Sequence, residues 1–238
     1  LRSKLNYAEN LLPKNDNSKA VTFISENGYR EEKSWKELNN NSLKLVSFFN
    51  ENKIKEKDRI AAYTANQIET VESFIATSAL GAIWSSCSPD FGTQGVIERF
   101  SQIKPKVLII TDRYYYNGKE INILERLPTI LKKIKSIKSV LIISYPGKKN
   151  FKQKKIKGIK IFHYNKLKFK KENQSIFKKF DFDKELAILY SSGTTGKPKC
   201  ICHRAGGVLL QHLKEHKLHC NVKPGDNVFY FTTCGWMM

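Results

Sequence analysis

The fold of this chain is decided by the stretch Leu186-Ala187-Ile188-Leu189-Tyr190-Ser191-Ser192-Gly193-Thr194-Thr195-Gly196-Lys197-Pro198-Lys199. Its apolar beginning predicts a buried strand, and the remainder predicts a loop that wraps a polyphosphate. Two glycines, Gly193 and Gly196, let the backbone approach an oxyanion closely. Hydroxyl donors and a positive charge come from Ser191, Ser192, Thr194, Thr195 and Lys199.

Two other interpretations of this loop need to be weighed. A flexible surface turn is the structural alternative, because Ser, Gly and Thr are common in such turns. A Walker A loop, as in P-loop kinases and GTPases, needs four residues between its glycines and then Lys followed by Ser or Thr. Here only Thr194 and Thr195 separate Gly193 from Gly196. The spacing therefore excludes the P-loop class.

Outward from this loop, strands and helices alternate along the chain. A hairpin is predicted over 20–34 with its turn at 26–28, and a helix follows Ser34, which has capping-box spacing from Glu37. Further strands are predicted at 58–63, 83–86, 107–111, 140–144, 159–163, 186–191 and 228–232. Further helices are predicted at 68–82, at 94–104 after a cap at Thr93, at 121–134 and at 206–218.

This order predicts the α/β class, with layered, mostly parallel sheets flanked by helices. The reason is that the strands have few polar positions and are followed by helices. Ligands of such sheets bind at the carboxyl ends of the strands. The loop after Leu189 is predicted to lie at that place.

Composition and cysteine usage fit a globular protein of a reducing compartment. Hydrophobic residues make up 40% and charged residues 27% of the chain, and no apolar run approaches the ~18 residues needed to span a bilayer. The five cysteines are scattered and form no C-x-x-C pair. We therefore expect a cytoplasmic protein with no membrane partner.

Positive charge is concentrated in one region. The formal net charge is +20, and fifteen lysines but no Asp or Glu lie from Lys132 to Lys171. A nucleic-acid-binding module is the alternative that this charge suggests, but the region has no Arg and no recognisable stacking motif. A solvated, lysine-coated periphery is favoured, so 145–185 is interpreted as a peripheral segment and no nucleic-acid partner is expected.

The chain resembles the adenylate-forming superfamily. The phosphate-binding signature of that superfamily is an aromatic residue, Ser or Thr, Ser-Gly-Thr-Thr-Gly, any residue and then Pro-Lys, and it is matched throughout by 190–199. Within the superfamily the chain is similar to the acetoacetyl-CoA synthetases at 5–12, 81–92, 99–103, 116–120 and 232–238. One departure is Cys200, where the superfamily often has Gly.

The resemblance covers only the amino-terminal portion of such an enzyme. It implies that 1–238 is a partial N-terminal AMP-binding (adenylation) domain, in which 1–55 is a leading hairpin-helix segment. Both ends of the chain look cut, so we interpret it as a fragment without the C-terminal domain. The superfamily's adenine and magnesium motif, ribose-binding Asp and catalytic Lys are not found here, so no catalytic residue is assigned and the chain alone is expected to be inactive.

The resemblance also implies a reaction. Acetoacetate would attack the α-phosphorus of ATP to give acetoacetyl-AMP and pyrophosphate, and the thiol of CoA would then displace AMP, with Mg²⁺ accompanying ATP. The ATP phosphates would be held by Ser191, Ser192, Gly193, Thr194, Thr195, Gly196 and Lys199. A synthetase for another short-chain acid, similar to acetate or propionate, is the alternative.

Two further groups of residues are implied in substrate binding by the same resemblance. The acyl pocket would be walled by Trp236, Met237 and Met238, for which core packing is the alternative. CoA would be approached by Trp84, Ser85, Ser86, Tyr116 and Lys119. For the last of these, a solvated surface lysine is the alternative.

A rival motif lies near the end of the chain. His212, Glu215 and His216 match the H-x-x-E-H pattern of a class of zinc metallopeptidases, with two imidazoles one helical turn apart. No distant third ligand can be singled out from the sequence. A partly exposed amphipathic helix is therefore favoured, and no metal site is assigned.

Overall fold

The computed structural model describes residues 3–147, 155–168, 177–191 and 196–237. In these ranges the chain forms a central seven-stranded sheet and three two-stranded sheets. The strands are β1 Lys4–Leu5, β2 Lys19–Ile24, β3 Arg30–Ser34, β4 Arg59–Tyr63, β5 Ile83–Cys87, β6 Val107–Thr111, β7 Arg113–Tyr116, β8 Lys119–Asn122, β9 Ser139–Ile143, β10 Lys160–His163, β11 Phe180–Asp181, β12 Glu185–Tyr190 and β13 Cys200–Arg204. The α-helices are α1 Tyr7–Leu11, α2 Trp35–Glu51, α3 Ile68–Ala79, α4 Thr93–Ile103, α5 Leu127–Lys133 and α6 Ala205–Lys214. Two 3₁₀ turns, Leu124–Arg126 and Tyr164–Lys166, and a π-helical turn, Glu215–His219, complete the set.

The central sheet has the strand order β10-β9-β6-β4-β5-β12-β13. All neighbouring strands pair in parallel except β13, which runs antiparallel to β12. The inner strands β4, β6 and β9 are almost wholly buried, as expected for a parallel sheet that is covered on both faces. The predicted α/β class, with a mostly parallel sheet flanked by helices, is confirmed.

Side chains of the sheet alternate between two layers of helices. Ile60 and Ala62 of β4 belong to the apolar cluster that contains α2 and α3, whereas Ala61 and Tyr63 belong to the cluster that contains α4 and α5. Each fully buried Leu, Ile or Phe side chain in these layers contributes about 1.5–3 kcal/mol. The strand ends that carry the candidate site are therefore held from both faces.

The amino-terminal hairpin and the helix after it were predicted correctly. β2 pairs with β3, and Gly28 in the turn between them has a φ of +84°. Ser34 caps α2, since its Oγ accepts from the amide of Glu37 at 3.3 Å and the Glu37 carboxylate accepts from the amide of Ser34 at 2.8 Å. This reciprocal pair is the capping box that the spacing indicates.

The helix predicted over 121–134 is wrong in its first half. Residues 119–122 form β8, which pairs with β7 across a turn in which Asn117 and Gly118 have φ values of 50° and 72°. Positive φ at both central residues defines a tight hairpin turn, for which Asn-Gly is the strongest sequence signal. The helix α5 begins only at Leu127, because Pro128 has no N–H and fits the first turn of a helix but not its interior.

The two helices before this hairpin differ slightly from prediction at one end. The helix α3 ends at Ala79 and not at 82, because Gly81 adopts a left-handed conformation with a φ of +66°. Thr93 is the first residue of α4 and not its cap; the capping residue is Gly92, which has no side chain to donate or accept.

Two strand predictions fail at the end of the chain. The sequence does not predict β13, because this edge strand is mostly exposed and lacks a continuous apolar run. The strand predicted at 228–232 is wrong, and the side chains of Val228, Phe229, Tyr230 and Phe231 are 64–92% exposed. A strand needs a neighbour for its backbone N–H and C=O groups, and no described strand pairs with this run.

The lysine-rich segment is described only in part. Residues 148–154 and 169–176 lie outside the described ranges. The lysines that are described between them, at positions 155, 157, 160, 166 and 168, are all exposed, whereas Lys184 near the end of the segment is buried. Among the described helices, none combines the length and the apolar character needed to cross a bilayer.

Candidate functional site

The glycine-threonine loop begins at the carboxyl end of β12 and leads into β13. Its two ends are bonded to each other: the amide of Ser191 donates to the carbonyl oxygen of Lys199 at 3.1 Å, and the amide of Lys199 donates to Ser191 Oγ at 3.3 Å. Tyr190 and Cys200 continue the pairing into the sheet. The loop is thus the closed connection of an antiparallel pair, and β13 intervenes before the helix at Ala205.

The structure describes three of the seven predicted phosphate-binding residues. Ser192, Gly193, Thr194 and Thr195 lie outside the described residues. Gly196 has open space where a Cβ would lie. Lys199 is exposed and forms no ion pair within the described ranges, so its ammonium group is available to an anion. The hydroxyl oxygen of Ser191 accepts from the amide of Lys199 and so helps to close the base of the loop.

The last turn of α4 contacts the end of the loop that leads into β13. Gln102 Nε2 donates to the carbonyl oxygen of Pro198 at 2.9 Å, and Gln102 Oε1 accepts from Cys200 Sγ at 3.7 Å. One turn earlier, the guanidinium of Arg99 lies 5.8 Å from the ring centroid of Tyr190. Both residues belong to the 99–103 stretch, for which the sequence indicated a resemblance but no role.

Tyr190 anchors the start of the loop in the core. Its side chain is buried, its hydroxyl lies 3.0 Å from Ser85 Oγ, and burial raises the pKa of Tyr190 well above its usual value. Ser85 Oγ also donates to the carbonyl oxygen of Ile188 at 2.8 Å. The hydroxyl of Ser85 is therefore occupied inside the sheet, and its contact with CoA stays a prediction.

The segment 232–237 lies against the carboxyl ends of β4 and β5. Asn66 Nδ2 donates to the carbonyl oxygen of Thr232 at 2.6 Å, and Ser86 Oγ donates to that of Cys234 at 2.5 Å. Gly235 approaches the backbone of β5 so closely that a Cβ there would lie 2.9 Å from the carbonyl oxygen of Ser86. Only glycine permits this approach.

Two cysteines lie at the same edge of the sheet. Cys234 Sγ donates to the carbonyl oxygen of Thr64 at 3.0 Å, and burial raises the pKa of Cys234 to about 11. Burial also raises the pKa of Cys87 to about 12. Because a thiolate is the reactive form of cysteine, both groups are unreactive at neutral pH and act here as packing and hydrogen-bonding groups.

A cavity of about 770 Å³ lies between α3 and α6, over β5 and β12. Trp236 and Met237, which were predicted for the acyl pocket, line it together with Trp84, which was predicted for the CoA path. Met238 lies outside the described residues. Trp84 Nε1 donates to Ser86 Oγ at 3.1 Å, which fixes the indole ring in the cavity wall. Both the volume and the mostly apolar walls are typical of a small-molecule site.

Of the five residues predicted to approach CoA, only Trp84 lines this cavity within the described ranges, and Tyr116 and Lys119 lie on a different element. Tyr116 and Lys119 are register partners at the end of the β7–β8 hairpin, both are exposed, and neither lines the cavity. The base of this hairpin is held by Arg113, whose buried guanidinium contacts Asp112 at 2.9 Å and Glu120 at 2.6 Å. The hairpin is therefore a separate, exposed element next to the sheet.

The rival zinc motif lies on α6 and the π-helical turn that follows it. The rings of His212 and His216 have their centroids 6.3 Å apart, and His212 Nδ1 lies 3.1 Å from the hydroxyl of Tyr7. The carboxylate of Glu215 accepts from Gln211 Nε2 at 2.7 Å. Within the described ranges, no group of three or more His, Cys, Asp or Glu side chains could hold a metal ion. The zinc-peptidase interpretation thus has no third ligand in this part of the chain.

Two residues of the site were not assigned from the sequence, Gln102 and Gly235. A side-chain amide that contacts a loop 96 residues away produces no periodic signal, so no sequence pattern could reveal Gln102. Gly235 does have a signal, because a glycine is one of the residues by which a backbone can approach another closely, although here it also lies in a turn at 234–235.

The profile of the AMP-binding enzyme family matches residues 13–238. The chain therefore belongs to this family of AMP-binding enzymes. This agrees with the loop at the carboxyl end of β12 and with the mostly parallel sheet that carries it.

Comparison with individual proteins is more specific than the family match. The chain is 42% identical over 243 residues to the acetoacetyl-coenzyme A synthetase of Rhizobium meliloti (strain 1021), an alignment that covers 99% of this chain and 36% of that protein. It is 37% identical over 246 residues to the malonamoyl-CoA synthetase of Penicillium aethiopicum, covering 99% and 34%. The structure of the acetoacetyl-CoA synthetase from Streptomyces lividans matches with a TM-score of 0.88 at 33% identity, over 98% of this chain and 35% of that one.

The predicted resemblance to acetoacetyl-CoA synthetases is confirmed by these comparisons. The chain spans about a third of the length of the curated relatives that it matches.

Proposed function

We propose that this chain is the phosphate-binding and acyl-binding part of an ATP-dependent acid-thiol ligase, which converts acetoacetate, ATP and CoA to acetoacetyl-CoA, AMP and diphosphate. One observation carries the proposal. A signature loop closed at its base by Ser191 and Lys199 lies at the carboxyl end of a central strand, in a chain 42% identical to an acetoacetyl-CoA synthetase. Residues 1–238 would then be the first part of an N-terminal adenylation domain.

The chemistry of the first half-reaction suits such a loop. A carboxylate is already ionised at pH 7, so its attack on the α-phosphorus of ATP needs charge neutralisation and alignment, and no general base. As the bond to pyrophosphate breaks, Lys199 would bring a positive charge to the leaving group. Hydroxyls and backbone N–H groups of 191–196 would donate to the phosphate oxygens. In the second half-reaction the sulfur of CoA would bond to the acyl carbon and AMP would leave.

Mg²⁺ would be supplied with ATP and would neutralise part of the phosphate charge. Within the described ranges, no group of three or more His, Cys, Asp or Glu side chains could hold a metal ion. No step is assigned to an ion held by this part of the chain.

The acyl group would lie in the cavity next to Trp236 and Met237, and the pantetheine arm of CoA would approach along Trp84. These walls are large and apolar, so they would limit the length of the acid that fits. The exposed Tyr116 and Lys119 of the β7–β8 hairpin would meet the nucleotide end of CoA, where an ammonium group suits a phosphate.

A ligase for another short acid is the second candidate. It is favoured by one observation, the 37% identity to a malonamoyl-CoA synthetase over 99% of the chain. Comparing kcat/KM for acetoacetate, malonamate, acetate and propionate would decide between the two candidates. A preference of more than tenfold for an acid other than acetoacetate would replace our first choice.

The decisive experiment joins this chain to the remaining two thirds of an enzyme of the family. In the Rhizobium meliloti acetoacetyl-CoA synthetase, the aligned third would be exchanged for this chain, and acetoacetate-dependent ATP–pyrophosphate exchange would be measured. We expect the chimera to be active and the 238-residue chain alone to be inactive. Turnover by the chain alone, or an inactive but folded chimera, would contradict the proposal.

A matched pair of lysine variants tests the role of the loop. In the chimera, Lys199→Met should lower kcat/KM for ATP about ten- to a hundredfold, because a charge-assisted hydrogen bond contributes roughly 1.5–3 kcal/mol. Lys197→Met removes the same charge two residues earlier, at the variable position of the signature, and should change the rate less than threefold. Equal effects of the two substitutions would mean that net charge matters and the loop geometry does not.

The compartment is also proposed. All five cysteines lie within the described ranges and all are free thiols. Unpaired cysteines persist best where the glutathione pool keeps thiols reduced. We therefore infer a cytoplasmic enzyme with small-molecule partners and no nucleic-acid or membrane partner. Retention on DNA or on lipid vesicles at physiological salt would contradict this.

A further inference from the structure

We infer that Gln102 is a positioning residue, which holds the end of the phosphate loop that leads into β13 and thereby directs Lys199 toward the phosphates of ATP. The inference rests on the proposed function for its ligand. Its structural part rests only on the contacts of Gln102 with Pro198 and Cys200, which we call the clamp.

Both ends of the side-chain amide of Gln102 form hydrogen bonds. Its Nε2 donates to the carbonyl oxygens of Pro198 at 2.9 Å and Glu98 at 2.8 Å, and its Oε1 accepts from Cys200 Sγ at 3.7 Å. Both oxygens near Nε2 are acceptors, so this orientation of the amide is required: a rotated amide would place Oε1 against two carbonyl oxygens.

The two loop contacts lie on either side of Lys199. Pro198 precedes it and Cys200 follows it, so Gln102 spans the backbone of the lysine. Pro198 has no N–H, and its carbonyl oxygen is thus the only backbone group by which this residue can be held. On the opposite side, Ser191 holds both the amide and the carbonyl oxygen of Lys199. The backbone at Lys199 is therefore fixed from two directions.

The helix that carries Gln102 is anchored in the core. On α4, Val96 and Phe100 are fully buried, and Ile103 is nearly so. Arg59 Nε donates to the carbonyl oxygen of Ile103 at 2.7 Å, which satisfies one of the free carbonyls at the end of the helix. Gln102 itself is exposed, so changing it should not disturb the core.

Successive side chains of an extended segment point to opposite faces. Because Cys200 is bonded to Gln102 of α4, alternation predicts that Lys199 faces the other way. On that side of the sheet Leu189 lines the cavity that would hold the acyl group. Lys199 is proposed to contact the triphosphate, whose pyrophosphate part leaves before CoA reacts. Loss of the clamp should therefore affect the first half-reaction and leave the later step with CoA largely unchanged.

The experiment uses the chimeric enzyme described above, with Gln102→Met as the test and Gln94→Met as the matched control. Gln94 lies on the same helix and is bonded only to Glu98 within the described residues, at 2.9 Å. We expect Gln102→Met to raise KM for ATP about five- to tenfold in pyrophosphate exchange. The rate of thioester formation from preformed acetoacetyl-AMP should change less than twofold, and Gln94→Met should match the parent in both assays.

Two substitutions of Cys200, the loop residue that donates to Gln102, test whether the hydrogen bond itself matters. Cys200→Ser keeps a donor for Gln102 Oε1 and should stay within twofold of the parent KM, whereas Cys200→Val should show part of the Gln102→Met effect. Parent-like kinetics of Gln102→Met would overturn the inference and leave the proposed function standing. Equal losses in both half-reactions would also overturn it, because they would indicate a general structural role.

An inactive chimera would count against the proposed function and not against the clamp. Hydrogen exchange on the 238-residue chain would then decide. The amides of Ser191 and Lys199, which close the loop, should exchange at least fivefold faster in Gln102→Met than in Gln94→Met. Equal exchange in the two variants would refute the clamp itself.

Discussion

Replacing Gly235 by Ala should lift the segment 232–237 off the sheet. The new Cβ would lie 2.9 Å from the carbonyl oxygen of Ser86, 3.0 Å from Cys87 Cα and 3.2 Å from the amide of Ser88. All three are backbone atoms of β5 or of the residue after it, and the apolar clusters on both faces hold this strand in place. The segment must move because the strand cannot.

The cost of the overlap is comparable to what holds the segment down. Overpacking of this kind costs about 1–3 kcal/mol. Among the described residues, the segment is held by three hydrogen bonds, from Asn66 to Thr232, from Ser86 to Cys234 and from Cys234 to Thr64, and by a longer contact of 3.8 Å between Thr64 Oγ1 and Cys234 Sγ. At about 0.5–1.5 kcal/mol each, they are of the same size. The open form should therefore be well populated in Gly235→Ala.

The thiol of Cys234 reports the opening. Burial holds its pKa at about 11, against a usual value of 9.0, so release should raise the thiolate fraction at pH 8 by about a hundredfold. A thiolate of lower pKa is also a weaker nucleophile, so the alkylation rate of each thiolate should fall by roughly eightfold. The net increase in alkylation rate is about tenfold, and better access to the thiol can only add to it.

The assay is alkylation by iodoacetamide at pH 8, followed by mass spectrometry of the separated peptides. Cys87 is an internal control, because its thiol is buried in the sheet and should remain slow. Gly92→Ala is the control variant, since Gly92 has open space at the Cβ position and an ordinary φ of −63°. If Cys234 reacts at the same rate in Gly235→Ala and in the parent, the segment does not depend on a close approach at Gly235, and our account of the acyl wall is wrong.

Three further outcomes are expected. Tyr190→Phe removes one buried hydrogen bond to Ser85 and should lower the free energy of unfolding in urea by about 0.5–1.5 kcal/mol; a loss above 3 would show that more than this bond depends on the hydroxyl. Burial, and then His216 and His203, lower the pKa of His212 below 6.5, so the folded chain binds fewer protons than the unfolded chain between that lowered pKa and 6.5. Stability should be full above pH 6.5 and fall as the pH is lowered through this window, with a shallower fall in His212→Gln; an unchanged slope in that variant would assign the effect elsewhere. Metal analysis of the purified chain should find far less than one zinc per molecule, whereas one zinc that is lost in His212→Ala would restore the peptidase alternative.

Sequence patterns predicted the interior of the fold better than its edges. The buried strands at 107–111 and 140–144 are nearly continuous apolar runs, because both faces of the sheet are covered, and such runs can be recognised without knowing their neighbours. The edge strand β13 is mostly exposed, so its sequence has no apolar run to recognise. The run at 228–232 has the opposite character: its composition is typical of a strand, but a strand also needs a partner, which local composition does not encode.

For the site, the sequence indicated residue types, and the structure added the positions of the described ones, Ser191, Gly196 and Lys199. The phosphate-binding role of 191–199 stays a prediction, made because phosphate binding requires hydroxyls, glycines and a positive charge close together along the chain. The support from α4 could not be predicted, because it depends on a contact between residues 96 positions apart. The role of Gly235 could not be predicted either, because it depends on the backbone of Ser86 to Ser88, which lies beside it in the fold.

The register of β12 and β13 relates the phosphate loop to the cavity. Tyr190 pairs with Cys200, and paired residues of an antiparallel ladder share a face, here the face that packs against α4 and α5. Leu189, one residue earlier, points to the other face and lines the cavity. Ser191 and Lys199 have the same parity as Leu189, so alternation predicts that they point to the cavity face, although neither lines the cavity itself. A slip of one residue would exchange the two sets and turn Lys199 toward α4. The bonds of Gln102 to Pro198 and Cys200 oppose that slip, so the contact that supports the loop also keeps its lysine on the face where the acid would bind.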